Sequence, residues 1–245
     1  MFSFRQVFNY DWIAVLVAPL LGGGLLVLVV CANDDDRDVR ASIQTSVNLL
    51  QISQAIFDYH DKYKHLPPAY VLGADGKAAH SWRVLLLEFL DQEEMLKQYS
   101  FKEPWNGPNN RKLADKMPFQ YRVAEDPKSR GHLTSYVLLV GAKTAFPGHK
   151  TVKFEEITDG RDKSILVAEA EGFSIHWMEP RDWNVDVFSI KMSDVKEPGL
   201  SSHNPRGSYI ALADGLRMCL DFSTPAEQLR RMSTIAGREE VNLIW

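Results

Sequence analysis

Seven histidines and a scatter of carboxylates are the side chains of this 245-residue chain that could carry acid-base or metal chemistry. Histidine titrates near neutrality and ligates metals, so His60, His80, His176 and His203, with Asp61, Glu169 and Asp214, are the first positions to weigh. His203 and Asp214 make the sharpest pair, a base and the carboxylate that would orient it in a hydrolase. Against that, the pair has no third member, and Asp214-Gly215 sits between two apolar runs as a hairpin turn does. An aspartate in such a turn commits its carboxylate to nearby backbone N–H groups, which favours the ionised form and leaves a poor base. The chain has no HExxH, no tight Cys/His spacing, no GxSxG and no P-loop. The favoured reading is a protein that is not an enzyme and has no cofactor or metal, with His203, Asp214 and Gly215 as a structural or binding motif.

Two further sets of residues invite a binding role. Asp159 and Asp162, with nearby carbonyls, would supply oxygens for calcium, although a plain Asp159-Gly160 turn explains them as well. Trp105, Trp177 and Trp183 lie in segments rich in proline and polar residues, where an indole can stack on a sugar or a partner. The alternative is that they seal the edge of a core, because their large area is costly to leave in water. A ligand-binding module predicts a concave site near Trp105 or Trp177.

These residues need a scaffold. A composition of 45% hydrophobic and 24% charged residues is that of a folded protein, and 28 basic against 32 acidic residues gives no electrostatic case for nucleic acid. From Trp12 to Ala32 run 21 residues without a charge, enough for a helix to cross a hydrocarbon core of roughly 30 Å. The expectation is a tail at 1–11, a transmembrane anchor at 12–32 retained in the lipid bilayer, and one domain at 33–245. Charge counting leaves the orientation open, since Arg5 on one side faces Arg37 and Arg40 on the other. Past the anchor, Leu49, Ile52, Ile56, Tyr59 and Tyr63 recur at helical spacing and predict an amphipathic helix from about Arg37 to Tyr63, stopped by Pro67 and Pro68. A second helix is expected over Ser81 to Gln98. Strands are expected over 135–140, 164–170, 208–213 and 216–222, then a last helix with Thr224 as N-cap and Pro225 as its first residue. Helices first and strands after make the class α+β.

Four blocks of residues together resemble the bacterial family called domain of unknown function 1559, also labelled bacterial solute-binding protein family 10. The first runs from Val47-Asn48-Leu49-Leu50-Gln51-Ile52 to Leu66-Pro67-Pro68, and the second from His80-Ser81-Trp82-Arg83 to Pro104-Trp105-Asn106. The third is Ile157-Thr158-Asp159-Gly160 with Ser164 to Ala170, then Trp177, Pro180 and Asp182. The fourth leads from His203 to Asp214-Gly215, similar to the prepilin-type processing-associated motif of a histidine nine residues before Asp-Gly. Here ten residues intervene, and the N-terminus lacks the Gly-Phe-Thr-Leu-Ile-Glu processing pattern. The resemblance implies a pilin-like build, a long helix packed on an antiparallel sheet, displayed outside the cytoplasm. It also implies envelope or secretion-system proteins as partners, and no assigned reaction.

Overall fold

The computed structural model describes residues 13–19, 25–31, 36–122, 131–170, 173, 175–188, 190–193, 199–202, 204 and 207–237. The apolar segment forms two strands, β1 (Ile13–Pro19) and β2 (Leu25–Cys31), paired antiparallel from Ile13 opposite Cys31 to Pro19 opposite Leu25. The described parts of the helix expected over 12–32 are extended instead. Among the described residues no helix is long and apolar enough to cross a membrane. The reason lies in the residues: Pro19 has no N–H to give and crowds the preceding turn, glycines disfavour a helix in water, and valine-rich flanks suit a strand.

Helix α1 (Asp36–Tyr63) runs as its periodicity predicts. Leu49, Ile52 and Ile56 are fully buried and Tyr59 nearly so, each worth about 1.5–3 kcal/mol if aliphatic and fully desolvated. The helix ends where Lys64 adopts a left-handed φ of 63° and returns its N–H to the His60 carbonyl at 2.7 Å. Its N-terminal half is different, since it buries Ser42, Thr45, Ser46 and Asn48.

After the hairpin β3 (Tyr70–Leu72) and β4 (Ala78–Ser81), the expected second helix is broken in two. Helix α2 (Trp82–Leu85) starts at Ser81, whose Oγ accepts the Arg83 N–H, and tightens into a 3-10 turn over Leu86–Phe89. The chain restarts as α3 (Glu93–Gln98). Asp91, with φ of 56°, makes the break, and aspartate is among the few residues that tolerate that conformation.

The rest of the chain supplies β5 (Leu133–Thr134), β6 (Tyr136–Val137), β7 (Leu139–Val140), β8 (Ile165–Glu169), β9 (Ile175–His176), β10 (Trp183–Asn184), β11 (Gly207–Leu212), β12 (Arg217–Asp221) and α4 (Ala226–Ser233). The main sheet has the order β12-β11-β8-β6, antiparallel throughout, flanked by the short ladders β5/β9 and β7/β10. Both faces of the sheet are buried. Along β11, Tyr209 and Ala211 join the apolar cluster of α1, whereas Ile210 and Leu212 join Leu229 and Met232 of α4. The strand expected over 135–140 is interrupted at Leu138, and α4 has Pro225, not Thr224, at its N-cap, with an extended ψ of 139°. Helix and antiparallel sheet together bear out the α+β class.

Candidate functional site

Two polar clusters stand out, one at Tyr136 and Leu138 and the other at His132 of the segment 132–140. In the first, α2 places Trp82 and Arg83 against Asp182, which precedes β10. Arg83 Nη2 donates to Asp182 Oδ1 at 2.8 Å, with the two side chains 0% and 2% exposed. Trp82 Nε1 donates to both Asp182 oxygens at 3.1 Å, and the Leu138 N–H donates to Oδ1 at 2.9 Å, which is why the strand breaks there. Arg83 also donates to the Tyr136 carbonyl and to Ser81 Oγ, and its own carbonyl accepts the Tyr121 hydroxyl. Burial raises the Asp182 pKa, opposed by Arg83, the Leu138 N–H and the indole. Apart from the buried Arg83 Nε, which has no partner among the described residues, the strong donors and acceptors of this junction are spent inside the protein, so it binds elements together and presents no accessible charge to a substrate.

The second cluster lies where the turn-rich loop around Trp105 meets β9. Trp105 is half-buried with its ring 4.8 Å from that of His176, and His176 stacks on His132 at 5.4 Å and 27°. His176 Nδ1 accepts the Met178 N–H at 3.2 Å, which places any proton of the neutral ring on Nε2. His132, 43% exposed, has Nδ1 3.5 Å from the Asp115 carboxylate, itself 89% exposed. Burial, then the neighbouring His132, lowers the His176 pKa to about 4, against the opposite pull of Glu179 and Asp115. This face combines a half-buried indole with the His176 imidazole, whose proton affinity is lowered by burial.

The sequence-predicted positions divide between these clusters and elsewhere. Trp177 is fully buried and its Nε1 donates to the Ala114 carbonyl at 2.9 Å, so it seals the core, and Trp183 is buried too. Asp214 Oδ1 accepts the Leu216 N–H at 2.9 Å and Gly215 has φ of 94°, which is the Asx-type hairpin turn expected. His203 lies outside the described residues. The Asp159 carboxylate accepts the Gly237 N–H at 2.6 Å, and among the described residues no group of three or more histidines, cysteines and carboxylates could hold a metal. The two Asp-Gly turns meet: the Asp214 N–H donates to the Arg161 carbonyl at 3.1 Å and Arg161 Nε to the Ala213 carbonyl at 2.9 Å. His60 packs on Phe154, buried His80 bonds the Tyr99 hydroxyl through Nδ1 at 2.9 Å, and Glu169 is buried in β8, so none joins His176. Burial lowers the His80 pKa against a backbone bond to Phe101.

The sequence pattern alone assigns no role to Trp82, Arg83 and Asp182. A signal was present, because an arginine inside the apolar run Trp82-Arg83-Val84-Leu85-Leu86-Leu87 requires a buried counter-charge. The polar half of α1 was missed as well. Asn48 donates to the Arg122 carbonyl at 2.7 Å and to the Tyr136 hydroxyl at 3.2 Å, and Asn204 donates to Ser42 Oγ at 3.0 Å. Compared with known proteins, residues 40–145 match the family model described as protein of unknown function (DUF1559). No curated protein and no solved structure matches the chain.

Proposed function

With residues 40–145 belonging to the family described as protein of unknown function (DUF1559), we propose that this protein is a non-enzymatic, pilin-like envelope protein. In this reading the segment 12–32 holds it at a membrane and its globular domain faces away from the cytoplasm. The observation that carries the reading is α1, a helix of 28 residues that begins just past the apolar segment and lays its apolar stripe on an antiparallel sheet. A two-stranded hairpin has unpaired N–H and C=O groups along both edges, and hydrocarbon cannot satisfy them. On insertion the segment 12–32 therefore turns helical, and its lack of charge makes that change favourable. The experiment is membrane fractionation of the full-length protein with protease protection in intact cells. Recovery in the membrane fraction with an accessible C-terminus is expected; a soluble protein, or a protected C-terminus, removes the reading.

A second reading, a ligand-binding module, is favoured by the half-buried Trp105 beside His176 and His132. A half-buried indole flanked by ring nitrogens suits a sugar, whose C–H groups stack on the ring face while its hydroxyls take hydrogen bonds. Trp105→Ala would then abolish glycan-induced changes in tryptophan fluorescence. Saccharide titrations that leave the fluorescence of the unaltered protein flat would dispose of it.

A further inference from the structure

A cleft of about 500 Å³ opens between α4 and the loops that follow β7 and β10, and no residue of either polar cluster lines it. Its size falls within the roughly 300–1,000 Å³ usual for small-molecule sites. Val185, Ile190 and Ala226 supply an apolar wall, while Lys143, Asp186, Glu227 and Arg230 supply charge.

The state of those charges decides what the cleft can recognise. Asp186 Oδ2 accepts the Ala142 N–H at 2.8 Å, so this carboxylate is tying the two loops together. Glu227 is gripped by Arg230 through two bonds of 3.0 Å and by Arg231 at 3.2 Å. Lys143 is exposed and, among the described residues, has no carboxylate within ion-pair distance. Its backbone is nonetheless fixed, since its carbonyl accepts the Ile235 N–H at 3.1 Å. Glu227 is neutralised by two arginines and Asp186 is held by one oxygen on a backbone N–H, so Lys143 is the lining ammonium with no ion pair among the described residues. A single free point charge beside an apolar wall matches a monoanion with an apolar body. A phosphate would call for a second free cation or a nest of N–H groups.

We propose that this cleft binds small monocarboxylates with a branched aliphatic body, the carboxylate on Lys143 and the aliphatic part against Val185, Ile190 and Ala226. The test is ligand-observed saturation-transfer NMR on the full chain, with 4-methylpentanoate and its uncharged amide as probes. The acid binds and the amide does not. Lys143→Met weakens the acid on the order of tenfold, the loss expected for one charge-assisted contact, and Lys143→Arg retains it. Ala226→Trp fills the cleft from its exposed rim and abolishes the signal. Lys143 is exposed, so its variants keep the far-ultraviolet circular dichroism of the parent. No binding by the parent, equal binding of the amide, or undiminished binding in Lys143→Met or Ala226→Trp overturns the proposal.

Discussion

The junction around Asp182 and the face around His176 are built from similar materials, a tryptophan, a base and a carboxylate, and behave in opposite ways. At the junction the two charges are 0% and 2% exposed and meet within 2.8 Å, with indole and backbone N–H groups completing the carboxylate's shell. On the face the imidazoles stack instead of pairing with a buried charge, and the carboxylate beside His132, Asp115, stands in water. Access to water accounts for the difference. A buried charge must be matched by fixed partners, and once matched it is inert. A half-buried base keeps its proton exchangeable, and its environment sets the pH at which it charges.

The largest effect expected is at the junction. Asp182→Ala leaves the Arg83 guanidinium buried without its counter-charge and costs about 3–5 kcal/mol in urea unfolding. The double variant Arg83→Met with Asp182→Leu recovers most of that loss, because it removes the stranded charge instead of exposing it. A double variant as unstable as the single one would show that the junction contributes through shape alone.

Next come the two residues of the hairpin turn. Gly215 has φ of 94° and an added Cβ would lie 3.1 Å from the Phe57 ring, so Gly215→Val costs about 1–3 kcal/mol. Asp214→Asn keeps an acceptor for the Leu216 N–H and changes stability by about 0.5 kcal/mol at most. Thermal unfolding of the two variants separates them. If Asp214→Asn proves the worse of the two, the carboxylate has a role beyond the turn.

The face should respond to acid. His176 has its pKa lowered to about 4 in the fold, against an ordinary value of 6.5, so between those values the unfolded chain binds the extra proton. Stability is complete above pH 6.5, falls as the pH drops towards 4, and levels off below. Partial exposure screens the effect to about 1–2 kcal/mol. His176→Asn retains an acceptor for the Met178 N–H and removes the titration, and so flattens this part of the stability curve. An unchanged slope would mean that another group sets it. At the small end, Lys62→Met breaks the exposed Lys62–Glu88 pair and leaves the unfolding midpoint within error, as surface pairs commonly do.

These contrasts mark how far local sequence reaches. The periodicity of Leu49, Ile52 and Ile56 gave α1 to within a residue at its start and correctly at its end. Asp214-Gly215 gave the β11/β12 hairpin and the use of its carboxylate, both because helix stripes and tight turns are specified by residues a few positions apart. The same local logic was insufficient for Ser81 to Gln98, where one left-handed Asp91 divides an apolar run, and for residues 12–32, whose composition suits helix in lipid and strand in water.

Only the tertiary structure decided which polar residues would be buried. Arg83 finds Asp182 across 99 positions, Asn48 finds Tyr136 across 88, and Trp105 finds His176 although nothing in either neighbourhood names the other. The sequence by itself determined the α+β class, the long helix, the hairpin and the residue types available to each cluster. Whether a given tryptophan seals the core, as Trp177 does, or keeps an edge at the surface, as Trp105 does, depends on how distant segments pack over it. Burial is a property of the whole assembled chain, and the desolvation that fixes the Arg83–Asp182 pair and lowers the His176 pKa arises only once that assembly is complete.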